Sequence, residues 1–147
     1  MIRIIAVGRV TEDYLKQGIK DYEQRIPMPI EWIEIADEAN AQGRKREGER
    51  ILKRIRNNDY VACLDIKGKA YTSESFASFL DGAFTYHGGD LVFVIGGSYG
   101  LDQSVLERAD RRISFSNMTF PHRMFRLILV EQIYRGMMIL KNHPYHK

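Results

Sequence analysis

Short apolar runs alternate with longer amphipathic segments along the chain, and this alternation constrains the fold more than any other feature of the sequence. The first run, Ile2–Val7, is apolar at all but one position and stops at Gly8, which is typical of a strand buried in a parallel sheet. The segment that follows has apolar residues at helical spacing and ends near Pro27. Repetition of this order predicts an α/β protein with a mostly parallel, doubly wound sheet and helices on both faces.

The periodicity predicts strands at 2–7, 30–35, 60–66, 91–95 and 112–116. It predicts helices at 12–25, 44–56, 73–86, 104–108 and 124–140. Thr11 is the expected N-cap of the first helix, and Lys67-Gly68-Lys69 is expected to end the third strand. Because 147 residues are one domain's worth and no internal repeat is visible, a single domain over 1–147 is expected.

Composition excludes several classes of protein. With 44% hydrophobic and 28% charged residues, the chain is neither disordered nor collagen-like. The only cysteine, Cys63, excludes a disulfide framework within the chain and a thiolate zinc site, and a metal site of any kind is not expected. Neither a signal sequence nor a membrane span is visible, so the expected location is the cytoplasm, without membrane contact.

Positive charge is concentrated in two parts of the chain, although the net charge is only +3. Segment 44–56 holds seven basic residues against two acidic ones. The second basic zone begins at His122 and contains three of the four histidines. Two such zones indicate a polyanionic partner, but a solvated helix face explains the first zone equally well.

Ligands of doubly wound sheets bind at loops beyond the carboxyl ends of strands, where the strand order reverses. The loops after Asp65, Ile95 and Ser116 are therefore the candidates. The second is rich in glycine, which lets a ligand approach the backbone closely, but a purely structural turn is an equal alternative. The third, 116–121, can present backbone amides and carbonyls to the edge of an adenine ring.

The last predicted helix is apolar on far more than one face, so it needs cover on two sides and predicts a homodimer. Glu131 and Arg135 are spaced to pair along this helix. In the tail that follows, Tyr145 and His146 suit stacking on a base and contact with phosphate, with terminal disorder as the alternative. The tail has no apolar residue that would force it into the core.

Several motifs are more specific together than separately. They are Leu64-Asp65 with Gly68-Lys69, Ile95-Gly96-Gly97 with Gly100-Leu101, Thr119 with Pro121-His122, Glu131 with Tyr134-Arg135, and Asn142-His143-Pro144-Tyr145-His146. In this combination the whole chain resembles the RlmH family, which are SPOUT-class methyltransferases of bacterial large-subunit ribosomal RNA. Ser98-Tyr99 is a modest departure, because family members often have Pro-Glu there.

The resemblance implies a SPOUT-like domain whose C-terminal part forms a trefoil knot, with S-adenosylmethionine bound bent in the knot. The implied cofactor contacts are Leu64, Gly96, Gly97, Ser116, Asn117, Met118, Thr119, Phe120 and Pro121. The implied reaction is methyl transfer to N3 of a pseudouridine in 23S rRNA, within the large subunit or the whole ribosome. It also implies a homodimer whose partner subunit helps to form the RNA site.

The chemistry needs few catalytic side chains, because a sulfonium methyl is already an activated electrophile and has chiefly to be aligned with its acceptor. The candidates are Arg135, Tyr145 and His146, for positioning the RNA or removing the N3 proton. Arg135 as a cation and His146 as an acceptor are equal alternatives for the latter role. A noncatalytic RNA-binding or ribosome-associated protein of the same fold is the alternative function. A hydrolase is disfavoured, because no Gly-x-Ser-x-Gly motif is present.

Overall fold

The computed structural model describes residues 1–147 and contains five strands and five α-helices. The strands are β1 (Ile2–Val7), β2 (Ile30–Ile35), β3 (Tyr60–Ala70), β4 (Leu91–Ile95) and β5 (Arg111–Ser114). The α-helices are α1 (Asp13–Arg25), α2 (Arg44–Leu52), α3 (Ser73–Tyr86), α4 (Gln103–Arg108) and α5 (His122–Leu140). The predicted α/β class and the predicted order of elements are confirmed.

All five strands lie in one sheet in the order β2-β1-β4-β3-β5, and every neighbouring pair is parallel. The chain leaves β1 toward one edge of the sheet and leaves β4 toward the other, so the strand order reverses between these two strands. On one side of this point the carboxyl ends of β4, β3 and β5 lie next to one another. Leu64 is paired in register with Ile95 on one side and Ile113 on the other.

Apolar side chains fill both faces of the sheet. The larger core lies on the face covered by α1, α3 and α5, and it includes Ile4 and Phe93. The smaller core lies on the face of α2 and α4, and it includes Ile5 and Val94. Successive residues of the central strands therefore point into opposite cores, which explains why these strands are apolar at almost every position.

The third strand is longer than predicted, because Lys67-Gly68-Lys69 does not end it. Pairing with β5 is interrupted after Leu64 and resumes at Lys69, so that both residues stand opposite Ile113. The backbone of Gly68 passes very close to β5, since a Cβ there would lie 2.6 Å from the carbonyl carbon of Arg112. Glycine thus permits a bulge here instead of terminating the strand.

Other boundaries also differ from the sequence prediction, and β5 spans Arg111–Ser114 instead of 112–116. Thr11 does not cap α1: the N-cap is Glu12, and the Thr11 hydroxyl donates to the Glu12 carboxylate at 2.9 Å. Helix α2 ends at Leu52, four residues earlier than predicted. Helix α5 begins at His122, directly after Pro121, which is two residues earlier than predicted.

Helix α5 packs between α1 and α3. On one side Leu127 lies against Gly18 of α1, and on the other Gly136 lies against Leu80 of α3. Helices α1 and α3 of the same chain therefore cover both apolar sides of α5. The prediction of a homodimer, which was based on the need for such cover, requires other support. No helix combines the length and the apolarity that crossing a bilayer would require.

A buried ion pair joins β1 to the turn that follows α2. Arg3 Nη1 lies 2.6 Å from Asp59 Oδ2, and the two side chains are only 4% and 1% exposed. Arg3 also donates to the carbonyl of Arg54, while Asp59 Oδ2 accepts from the backbone N–H of Arg56 at 2.7 Å. These bonds hold 54–59 in a turn, which accounts for the early end of α2.

We expect Asp59→Ala to lower the free energy of unfolding by about 3 kcal/mol, because it removes the buried counter-charge of the Arg3 guanidinium and leaves only Asp90, 4.0 Å from Arg3 Nη1. Urea denaturation measures the change. Asp21→Ala, which breaks the exposed pair with Arg25, is the control and should cost less than about 1 kcal/mol. If Asp59→Ala lowered the free energy of unfolding by as little as the control does, the ion pair would not stabilise this turn.

Candidate functional site

A cleft of about 280 Å³ opens at the carboxyl ends of β3, β4 and β5. Two of the three predicted loops, those after Ile95 and Ser116, contribute to its wall. The predicted loop after Asp65 is absent because β3 continues to Ala70, and the strand itself contributes Leu64, Asp65 and Ile66. Of the predicted site residues, those that line it are Leu64, Gly96, Gly97, Ser116, Met118, Thr119 and Phe120. Asn117 and Pro121 belong to the same loop but do not line the cleft. Sequence reasoning missed Phe115 and Phe125, which also line it. Their positions on either side of loop 116–121 could have identified them from the sequence, because aromatic residues next to a binding loop can form its apolar wall.

The glycine-rich loop after β4 is a tight turn. The backbone N–H of Gly100 donates to the carbonyl of Gly97 at 3.1 Å, and Gly100 has a φ of +78°. A Cβ on Gly96 would lie 3.0 Å from the carbonyl carbon of Gly100, and one on Gly97 would lie 3.1 Å from Cγ1 of Val7. A side chain at Gly97 would therefore collide with Val7 of β1. Glycine is required at this position because the loop passes close to β1, not because a ligand approaches it. The loop is both a structural turn and part of the cleft wall.

Side chains of α2 hold the glycine-rich loop from outside. Arg44 Nη1 donates to the carbonyl of Tyr99 at 3.2 Å. The buried Glu47 lies beneath the loop, with Oε1 at 3.9 Å from the position of a Gly97 Cβ and Oε2 accepting from the backbone N–H of Glu38 at 2.7 Å. At least two charged residues of segment 44–56 therefore serve the architecture of the cleft.

Loop 116–121 is ordered by two hydroxyl groups. Ser114 Oγ donates to the carbonyl of Ser116 at 3.1 Å, and Ser116 Oγ accepts from the backbone N–H of Met118 at 2.9 Å. Behind the loop, the ring of Phe125 lies 5.1 Å from that of Phe115 and 5.9 Å from that of Phe120. An aromatic wall beside polar backbone groups suits a ligand that carries a flat heterocycle.

The cleft offers no reactive nucleophile of its own. Its two ionisable lining residues are Asp65 and His122. Burial, assisted by Arg123 and Arg126, lowers the pKa of His122, so the imidazole is mainly neutral at neutral pH. Burial also raises the pKa of the neighbouring Cys63 thiol to about 12, which keeps it unreactive. The cleft can bind a ligand, but the ligand or a second substrate has to supply the reacting groups.

The three predicted catalytic residues come together near the C-terminal end of α5. Arg135 Nε donates to Glu131 Oε1 at 2.6 Å, and its Nη1 lies 3.0 Å from His146 Nδ1. The Arg135 guanidinium also lies over the ring of Tyr145, 4.9 Å from its centroid. The predicted pairing of Glu131 with Arg135 is therefore present, and the tail supplies the other two members. We call Arg135, Tyr145 and His146 the tail cluster.

The tail is attached to the core, contrary to the expectation that nothing in it would enter the core. Tyr145 is half-buried against the larger core, with its ring 4.7 Å from that of Tyr134. Its hydroxyl donates to the hydroxyl of Tyr22 at 3.3 Å. Burial and this hydrogen bond raise the pKa of Tyr145 to about 12. Sequence reasoning failed here because it treated the tyrosine only as a stacking surface.

Within one chain the cleft and the tail cluster lie apart. No member of the tail cluster lines the cleft. The cleft lies at the start of α5, next to His122, whereas Arg135 follows thirteen residues later. Because an α-helix rises about 1.5 Å per residue, His122 and Arg135 are about 20 Å apart along the helix axis. The structure also brings no three histidine, cysteine or acidic side chains together as a metal site would require.

Comparisons with known proteins agree with these features. The family model described as "Predicted SPOUT methyltransferase" matches residues 1–146. A protein of Lactococcus lactis subsp. lactis, named Ribosomal RNA large subunit methyltransferase H, is 48% identical over 99% of both chains. Proteins of the same name from Acholeplasma laidlawii and Clostridium perfringens are 46% and 43% identical, again over 99% of both chains.

Proposed function

Because this chain belongs to the SPOUT methyltransferase family, we propose that it transfers a methyl group from S-adenosylmethionine to N3 of a pseudouridine in 23S rRNA. The observation that supports this proposal is the meeting of β3, the glycine-rich loop and loop 116–121 in one cleft, which seven of the nine residues that the resemblance assigns to the cofactor line. The relatives' name, Ribosomal RNA large subunit methyltransferase H, supports the substrate class. Such a substrate implies action in the cytoplasm, on the large subunit or the whole ribosome.

The residues of the cleft fit S-adenosylmethionine. The aromatic side chains around Phe125 can pack against the adenine ring, while the backbone of loop 116–121 offers hydrogen bonds to its edge. Leu64 and Gly97 form the opposite side of the cleft. When bound, the cofactor supplies an activated methyl group, so the absence of a nucleophile in the cleft suits this role. The trefoil knot that the family resemblance implies is part of the same proposal.

We propose that the active site is shared between two subunits of a homodimer. The tail cluster lies about 20 Å along α5 from the cleft of its own chain. Reaching that cleft would require the tail to leave its contacts with Tyr134 and Tyr22. A second copy removes this conflict, since the tail cluster of one subunit can face the cleft of the other. Arg135 would then hold the RNA or stabilise charge, and Tyr145 would present the edge of its ring.

Methyl transfer is tested with radiolabelled S-adenosylmethionine and three acceptors: 70S ribosomes, 50S subunits and free 23S rRNA. We expect the 23S rRNA of 70S ribosomes, of 50S subunits or of both to become labelled. The labelled methyl group should be on N3 of a pseudouridine. Ribosomes that already carry the methyl group are the control and should take up none. Cofactor binding without incorporation into any acceptor would instead establish the noncatalytic alternative.

The cofactor assignment is tested with Gly97→Val. The new side chain would strike Val7 and displace the loop. A displacement that costs the complex about 1–3 kcal/mol lowers the affinity for the cofactor about 5- to 150-fold. Titration calorimetry with S-adenosylmethionine measures it. Gly88→Val is the matched control, because a Cβ at Gly88 meets nothing within 4 Å. A folded Gly97→Val protein with the parent's affinity would refute the assignment.

A shared site predicts complementation between two variants that are each inactive at a cofactor concentration far below the dissociation constant of the weaker binder. One variant lacks residues 145–147 but keeps its cleft, and the other is Gly97→Val with an intact tail. After mixing and subunit exchange, half of the dimers are mixed and each has one complete site, so about a quarter of the parent's activity should return. Each variant alone is the control. No recovery in dimers shown by mass to have exchanged subunits would rule out a shared site.

A further inference from the structure

Glu74, at the start of α3, contacts the tail cluster although no motif in the sequence includes it. Its Oε1 lies 2.7 Å from Nε2 of His146. The other ring nitrogen of His146, Nδ1, lies 3.0 Å from Nη1 of Arg135. One imidazole is therefore held at both nitrogens, by a carboxylate on α3 and by a guanidinium on α5.

These two contacts determine where the proton of His146 lies. A guanidinium only donates hydrogen bonds, so Nδ1 has to be the acceptor in its contact with Arg135. The ring proton must then be on Nε2, from which it is donated to the carboxylate of Glu74. The hydrogen bond to His146 lowers the pKa of Glu74, so this carboxylate is ionised and available as an acceptor. The arrangement leaves His146 with a basic nitrogen beside a cation.

We propose that Glu74 is a positioning residue of the methyl transfer: it holds the His146 ring with Nδ1 unprotonated, so that Nδ1 accepts the proton of N3 of the target base. This inference rests on the function proposed above. Nδ1 has a single lone pair, which accepts from Arg135 in the free protein, so N3–H first replaces Arg135 Nη1 as the donor to it. The N3–H bond then breaks and its proton moves to Nδ1. The electron pair left on N3 forms the new bond to the methyl carbon, while the bond from that carbon to sulfur breaks and its electrons stay on sulfur.

The neighbours of His146 have complementary roles in this step. Arg135 is anchored by Glu131 at 2.6 Å and stays cationic, so it cannot take the proton. It can stabilise the negative charge that develops on the carbonyl oxygens on either side of N3. The phenol of Tyr145, with its pKa raised to about 12, is not a base at neutral pH. The cation and acceptor roles that sequence reasoning treated as alternatives are therefore two parts of one pair.

Glu74→Ala tests the kinetic consequence. The Glu74 side chain is 64% exposed, so folding should survive, and S-adenosylmethionine affinity serves as the check. We expect kcat on ribosomes to fall about 10- to 100-fold with KM nearly unchanged, as for loss of an oriented base. Glu74→Gln, whose amide oxygen can still accept from Nε2–H, should retain more of the rate. Asp81→Ala removes the same charge two turns further along α3 and should have the parent's kcat.

The proton position is tested separately by ¹⁵N NMR of the histidine rings in the full chain, with His146→Gln to assign the signals. We expect the Nε2–H form of His146 in the parent. In Glu74→Ala the ring is no longer held at Nε2 and can turn away from Arg135, so we expect a mixture of both forms. An Nδ1–H form in the parent, or a Glu74→Ala enzyme with the parent's kcat, would overturn the inference. Because the spectra need no ribosome, a failure of the proposed function remains distinguishable from a failure of the role of Glu74.

Discussion

The packing of α5 in the larger core is the constraint on which the rest of the site depends. Leu129, Val130 and Ile133 are fully buried between the sheet and the neighbouring helices. At the start of the same helix, the buried Arg126 donates to the carbonyl of Gly8 at 2.8 Å and to Glu34 at 2.7 Å, which ties the helix to the ends of β1 and β2. The helix is therefore held at its start and in its middle. The positions of the segments that precede and follow α5 are therefore determined by the packing of this helix.

Two functional regions are attached to this one helix. Loop 116–121 runs directly into its first turn, and the tail folds back onto its last turns. Since a buried helix neither bends nor slides easily, the distance between the two regions cannot be closed within the chain. The proposal of a shared site in a homodimer rests on this rigidity rather than on the apolar composition of α5, because α1 and α3 already cover that helix.

The two regions also divide the chemistry between them. The cleft has glycine turns, aromatic rings and a mainly neutral His122, which suit binding of a ligand. The tail cluster holds the charged groups, with Glu131, Arg135, His146 and Glu74 in continuous contact. Such a division suits a reaction whose electrophile is activated in the cofactor itself, since the protein has only to prepare the acceptor.

Sequence by itself determined the order of elements, the buried central strands and two of the segments that form the cleft, the loops after Ile95 and Ser116. Periodicity reports which side of the local backbone is apolar, and parallel strands bring their following loops to one edge. Tertiary structure decided the bulge at Gly68, the early end of α2 and the meeting of Glu74 with His146, which are 72 residues apart. Each depends on a distant partner: the backbone of β5, the buried Arg3, and an imidazole in the tail. Local periodicity carries no information on such pairs, because packing of the whole chain brings them together.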